Sequence, residues 1–250
     1  MRALITGANG TIGSALAKRL PDAIRTDVET MDVTVPEQVW ETIADYAPSV
    51  IFHLAGAKHA PDGELDPETT ARININGTAN VLRAATAVDA RVVFASTCKA
   101  ADPETVYGAS KLIAERLVLN AGGIVLRYYN VPEASGNVFR LWELLPADAP
   151  IPVCKAWRYF VPLERIVDLT ERAVGFASGR YAPISGKARW IPDVARELYP
   201  GRALRMIPLR RGDRYREPLH AAAETLQIVR GDCVRIAGPH DPSRELRVAA

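Results

Sequence analysis

Residues 3–20 read ALITGANGTIGSALAKRL, and this stretch decides the fold. Ala3–Thr6 is a short apolar run that reads as a buried strand. Residues 11–20 carry a helical pattern that Pro21 stops. Between them lies Gly7-Ala8-Asn9-Gly10-Thr11-Ile12-Gly13, with its glycines spaced GxxGxxG. Glycine permits a tight turn, close backbone approach to a pyrophosphate and close contact of helix with strand. The unpaired N–H groups of the helix N-terminus then face the anion. An ordinary glycine-rich turn is the bland reading. The strand before and the helix after are the context that favours a dinucleotide phosphate loop.

Working outward, strand and helix patterns alternate. Strands are expected at 23–27, 50–54, 91–95 and 123–128, and helices at 36–46, 66–87 and 110–120. The 36–46 segment has an apolar stripe at Val39, Trp40, Ile43 and Ala44. VIFHLA and RVVFAS are apolar runs suited to strands covered on both faces. The class is therefore α/β, a doubly wound parallel sheet of Rossmann type. After Asn130 the texture changes: residues 131–162 hold five prolines and little periodicity. Residues 163–178 read as a helix returning to the sheet. The expected division is a dinucleotide-binding domain of 1–130 plus about 163–185. A small C-terminal substrate-binding domain would take about 131–162 plus 186–250.

Composition narrows the function classes. With 31 Lys+Arg against 29 Asp+Glu, the net charge of +2 speaks against nucleic-acid and membrane-surface binding. There is no run of 18 apolar residues, and the N-terminus does not read as a signal peptide. Three cysteines, Cys98, Cys154 and Cys233, form neither a disulfide framework nor a metal pair. A reducing cytoplasm and no bound metal are the expectation. His220 and His240 are isolated, and His53 reads as a packed strand residue.

Asp27 falls twenty residues past Gly7, where a carboxylate can hold the adenosine ribose and favour NAD over NADP. Arg25 shares its strand face by spacing and weakens that preference. Asp32 and Val33 are candidate adenine contacts, although a turn or capping aspartate explains Asp32 equally well. Tyr107-Gly108-Ala109-Ser110-Lys111 is a YxxxK sequence that places both side chains on one helix face. An ammonium near a phenol favours the phenolate, which can take a proton from a sugar hydroxyl. Ser96 and Thr97 end a predicted strand, where ligands sit in an open parallel sheet. Thr97 is the candidate partner of the reacting oxygen, or simply a strand-end cap.

Taken together, these residues resemble the extended short-chain dehydrogenase/reductase family. The likeness runs through GANGTIG, HLAG (53–56), NINGT (74–78), ASTCKA (95–100), YGASK (107–111) and RYYNV (127–131). Within it, GAKHAP (56–61), STCKA (96–100), RYFV (158–161) and RRGDRYREPL (210–219) resemble the polysaccharide-biosynthesis branch. That branch contains UDP-N-acetylglucosamine 4,6-dehydratases and capsular sugar enzymes.

The resemblance implies a bound NAD recycled during the reaction. Besides the glycine loop, Asp27, Asp32, Val33, Tyr107 and Lys111, it puts Leu54, Ala55, Gly56, Lys58 and Asn74 beside the cofactor. It puts Lys58, His59, Asn130, Arg158, Arg210 and Glu217 beside the nucleotide sugar. Tyr107 would deprotonate the 4-hydroxyl as hydride leaves C4, and Lys111 would hold the nicotinamide ribose. The two residues after Thr97 would be the acid and base of water elimination. Here they are Cys98 and Lys99, and Cys98 departs from the branch's aspartate. A neutral thiol is a weaker acid, and Lys99 can act as base only if its pKa is lowered. The reading is thus an NAD-dependent nucleotide-sugar dehydratase acting on a UDP-hexosamine, with a C4 epimerase as alternative. A non-catalytic nucleotide sensor is the reading from another class. The resemblance also implies a homodimer and, because the chain is short for the branch, a reduced sugar-binding cap.

Overall fold

The computed structural model describes residues 1–238; His240 lies outside them. In chain order the first half comprises β1 (Ala3–Thr6), α1 (Thr11–Arg19), β2 (Ile24–Thr26), α2 (Pro36–Tyr46), β3 (Val50–His53), α3 (Ala60–Leu65), α4 (Pro67–Ala71), α5 (Thr78–Ala87), β4 (Arg91–Thr97), α6 (Val106–Asn120) and β5 (Ile124–Tyr128). The second half adds α7 (Val138–Glu143), β6 (Ile151–Val153), β7 (Trp157–Arg158), α8 (Leu163–Arg172), β8 (Gly179–Pro183), β9 (Arg189–Trp190), α9 (Ile191–Leu198), β10 (Leu204–Met206), β11 (Thr225–Arg230) and β12 (Cys233–Ala237).

The large sheet has the order β11-β12-β8-β5-β4-β3-β1-β2. Neighbours from β8 to β2 run parallel. The chain steps from β1 outward to β2, then returns to the other side of β1 as β3. That reversal opens a crevice at the carboxyl ends of the strands, the usual ligand position in such sheets. Alternate strand residues feed two apolar layers. Phe52, Val93, Leu126 and Ile166 share one layer, while Leu4, Ile51, Phe94 and Val118 share the other. Each such fully buried side chain contributes about 1.5–3 kcal/mol. This two-sided burial is why the strands read as continuous apolar runs.

Several expectations change in detail. The single helix expected over 66–87 is three pieces. Asp66 caps α4 by accepting from the Thr69 amide at 3.0 Å. A π-helical turn, Arg72–Gly77, then separates α4 from α5. The helix carrying YGASK starts earlier than expected, because the Thr105 hydroxyl accepts from the Gly108 amide at 3.0 Å.

The domain division also needs correcting. Residues 225–237, expected in the smaller unit, extend the large sheet as the antiparallel strands β11 and β12. What stands apart is a cluster around Trp142, Ile151, Val153, Ile191 and Val194. Two small sheets, β10-β6 and β7-β9, accompany it.

Candidate active site

The phosphate loop is built so that side chains cannot enter it. Gly7 has φ +68°, a left-handed conformation that favours glycine. A Cβ on Gly7 would lie 2.6 Å from the Ala55 amide nitrogen, and one on Gly13 only 2.2 Å from the Gly7 carbonyl oxygen. At Gly10 the same oxygen would be 3.2 Å away. The loop therefore holds β1, α1 and the Leu54-Ala55 backbone in close contact.

Asp27 lies one residue beyond β2. Its carboxylate accepts from the Asn9 amide at 2.8 Å and from the Val28 amide at 2.9 Å. Arg25 does not join it: its guanidinium donates to the Ala17 carbonyl at 3.0 Å, back on α1. The expected competition between Arg25 and Asp27 is thus absent from the geometry. A cavity of about 670 Å³ runs from the glycine loop past Asp27, Asp32 and Val33 to Thr97, Tyr107 and Lys111. Thr11, Ile12, Leu54, Ala55, Gly56 and Lys58 also line it.

Asn9 and Asn74 are the two expected cofactor residues outside this lining. The Asn9 amide is spent on Asp27. Asn74, on the π-helical turn, donates to the Ala57 carbonyl (3.1 Å) and the Ser110 hydroxyl (2.9 Å). Its Oδ1 is buried with no hydrogen-bond partner among the described residues.

A second cavity of about 300 Å³ holds all six expected substrate residues, Lys58, His59, Asn130, Arg158, Arg210 and Glu217, together with Lys99. Trp142, Phe160 and Ile207 give it an apolar wall. The two cavities meet at Lys58 and Ala134. Ser135, which the sequence reading missed, bridges them. Its hydroxyl accepts from Lys58 Nζ at 3.0 Å and its amide donates to the Thr11 hydroxyl at 3.2 Å. No local pattern marked Ser135; only the fold brings it to the phosphate loop.

Glu217 lines this cavity but is turned inward. Its carboxylate is nearly sealed from solvent. Oε1 lies 2.7 Å from Lys99 Nζ and 3.3 Å from Arg158 Nε. Oε2 accepts from Asn130 Nδ2 at 2.8 Å and from the Cys98 thiol at 3.7 Å. The surrounding cations, Lys99 foremost, hold its pKa down at about 2 against the opposing effect of burial. Of the four arginines in 210–219, Arg210, Arg211, Arg214 and Arg216, Arg210 alone lines this cavity. Arg214 pairs with Glu104 at 2.7 Å and Arg211 lies 3.9 Å from Glu64. Arg216 lines a separate groove with Trp157.

Burial pushes the Cys98 thiol up to about 12, with the Glu217 charge adding to it. Lys99 is held above the ordinary lysine value: burial lowers it, and the Glu217 carboxylate, joined by the Cys98 and Tyr107 groups, more than offsets that. The lowered lysine pKa that a base role requires is therefore not met. Burial raises Tyr107, against the Lys99 charge and a Thr97 hydrogen bond that lower it. Burial brings Lys111 down to about 7. The Thr97 hydroxyl caps the following turn by accepting from the Lys99 amide at 3.3 Å, and the residue lines the larger cavity.

The family model described as polysaccharide biosynthesis protein matches residues 21–236. The chain belongs to this family. The probable polysaccharide biosynthesis protein EpsC of Bacillus subtilis is 28% identical over 236 residues, covering 78% of this chain and 40% of EpsC. A UDP-N-acetylglucosamine 4,6-dehydratase (inverting) of Campylobacter jejuni is 28% identical over 189 residues, covering 67% of this chain and 54% of that enzyme. The family member described here thus spans about half the length of these relatives, or less. Among solved structures, the Thermus thermophilus UDP-glucose 4-epimerase complex with NAD superposes with a TM-score of 0.77. It is 21% identical, over 88% of this chain and 90% of that one. That likeness shows a shared fold. Among the described residues, no helix is long and apolar enough to cross a membrane.

Proposed function

We propose that this chain is an NAD-dependent nucleotide-sugar dehydratase acting on a UDP-hexosamine. The reading is carried by the meeting of two cavities at Lys58 and Ala134. One is a glycine-walled groove beside Tyr107 and Thr97. The other is a cation-lined pocket with an apolar wall, suited to a diphosphate and a base.

The residues fit a dinucleotide. The space a Cβ would fill at Gly7 and Gly13 is closed to side chains, and the Asp27 carboxylate stands where a ribose diol is held. The N-terminus of α1 would face the pyrophosphate. Bound NAD would supply the acceptor for the hydride from the sugar C4 and would return that hydride to C6 once water has left. Tyr107 takes the proton of the 4-hydroxyl, with Thr97 as hydrogen-bond partner of the same oxygen. Lys111 directs its ammonium to the nicotinamide ribose. Arg210 and Lys58 hold the substrate diphosphate; the Asn130 side-chain N–H groups are already given to Glu217 and to the Tyr159 carbonyl, at 2.8 and 3.1 Å. Oxidation at C4 acidifies the C5 proton; Lys99, once its ammonium has protonated the departing 6-hydroxyl, is the free amine that takes the C5 proton, so one water leaves. Lys99 lines the substrate cavity as that proton donor, whereas the fully buried Cys98 thiol lines neither cavity and donates to Glu217.

A C4 epimerase is the second reading, and one observation favours it. With Cys98 raised to about 12 and Lys99 held as ammonium, neither is a base at rest, and C4 inversion needs none at C5. Incubation with UDP-N-acetylglucosamine and NAD separates the two by mass. Loss of one water supports dehydration, and an isomeric product of unchanged mass supports epimerisation. A protein that binds both ligands and leaves the sugar intact overturns both and favours the sensor. A homodimer remains part of the proposal, to be read from sedimentation.

A further inference from the structure

We propose that Glu217 is a positioning residue that fixes Lys99 as an oriented ammonium in the substrate cavity, rather than a residue that grips the nucleotide. A carboxylate has about four lone-pair sites. Lys99 and Arg158 take Oε1, at 2.7 and 3.3 Å. Asn130 and Cys98 take Oε2, at 2.8 and 3.7 Å. Its side chain is only 1% exposed. A ribose or sugar hydroxyl could bind it only by displacing one of these donors.

The four donors come from three places in the fold. Cys98 and Lys99 form the turn after β4. Asn130 follows β5 and bridges to Phe160. Arg158 belongs to β7, where its neighbour Trp157 bridges to Arg216. Glu217 thus ties the 210–219 segment to the end of the central strand that carries Thr97. Its charge also decides the state of Lys99. The other groups facing Lys99 are the Cys98 thiol and the Tyr107 phenol. Arg158 shares the carboxylate and draws on it, while Lys58, Arg210 and Asp213 lie on the same cavity's walls. Without Glu217, Lys99 would keep a desolvated site and lose its counter-charge, so its pKa should fall. The consequence for turnover rests on the proposed function; the placement and protonation of Lys99 do not.

The test therefore begins on the protein without substrate. Reductive methylation with labelled formaldehyde gives each of the six lysines an NMR signal, and the signal lost in Lys99→Arg identifies Lys99. In the unaltered protein its titration should lie above the ordinary lysine value; a midpoint below that value overturns the proposal. In Glu217→Gln the midpoint should drop by about one pH unit or more, and an unmoved midpoint also overturns it. Calorimetry with UDP supplies the contrast. A Glu217→Gln affinity within about twofold of the parent supports positioning. A tenfold loss, about 1.4 kcal/mol, with Lys99 unmoved, marks Glu217 as a nucleotide ligand instead. Should Glu217→Gln not fold, the titration of the unaltered protein still decides.

Discussion

The Nδ1 atom of His53 stands 2.8 Å from the Thr6 hydroxyl, and this contact belongs to a chain whose protons are all assigned. The Thr78 hydroxyl donates to the Asn74 carbonyl at 2.7 Å, so it accepts from His53 Nε2 at 3.1 Å. Nδ1 then accepts from Thr6, whose oxygen accepts from the Ala55 amide at 3.1 Å. His53 is a neutral structural histidine that ties β1 and β3 to the turn carrying Asn74.

Burial, aided by the Lys111 charge, lowers the His53 pKa from 6.5 to about 3. Between those values the unfolded chain binds a proton that the folded protein refuses. Stability should therefore fall as pH drops through 6.5, by about 2 kcal/mol at pH 5. Denaturant titrations at pH 7.5 and pH 5 measure this. His53→Gln should be less stable at both and lose this part of the slope; an unchanged slope assigns it elsewhere.

Gly13→Ala tests the phosphate loop. The added methyl would meet the Gly7 carbonyl oxygen at 2.2 Å and Ala8 Cα at 2.9 Å. Both are backbone atoms that cannot swing aside. The expected cost is about 1–3 kcal/mol of stability, with NAD affinity reduced at least about tenfold because the loop must shift. Calorimetry with NAD reads the second effect. An undiminished affinity in a folded variant would remove this loop from cofactor binding.

What the sequence made legible is what local spacing carries. The GANGTIG loop, the apolar runs of β1, β3, β4 and β5, and the Tyr107–Lys111 spacing need only neighbours in the chain. The hairpin of β11 and β12 was not legible as sheet. Its partner β8 lies far back in the sequence, and Leu226 and Ile228 stay exposed. The protonation of Lys99 was equally hidden, because Glu217 approaches it from the distant 210–219 segment. Nor could spacing show that Arg25 turns back to Ala17.

Arg127, quoted above only as part of RYYNV, lies in a buried ionic cluster. Glu115 accepts from Arg127 at 2.7 and 2.8 Å and from Arg180 at 2.8 Å. Glu224 joins the same two arginines at 2.6 and 3.0 Å. Glu115 also accepts from the Ser96 hydroxyl at 2.5 Å, beside Thr97. Glu115→Gln would strand buried guanidinium charge and should destabilise by about 3–5 kcal/mol, read from equilibrium denaturation. A change within about 0.5 kcal/mol would show that the cluster is dispensable.

Tyr107 was expected to draw its activation from Lys111. In the free protein the cation that lowers its pKa is Lys99, assisted by the Thr97 hydroxyl, against the larger effect of burial. Lys111 Nζ instead lies 4.2 Å from the centre of the Phe94 ring, and burial brings its pKa to about 7. A nearby cation favours phenolate, so removing it raises the phenol's pKa. If phenolate is the active form, the rate climbs with pH along a limb set by Tyr107. Lys99→Met should move that limb upward by about one pH unit, while Lys99→Arg should largely keep it in place. The same displacement should appear in a spectrophotometric tyrosinate titration, corrected with Tyr107→Phe, which should itself be inactive. A limb that stays put in Lys99→Met but moves in Lys111→Met would return the activating charge to Lys111.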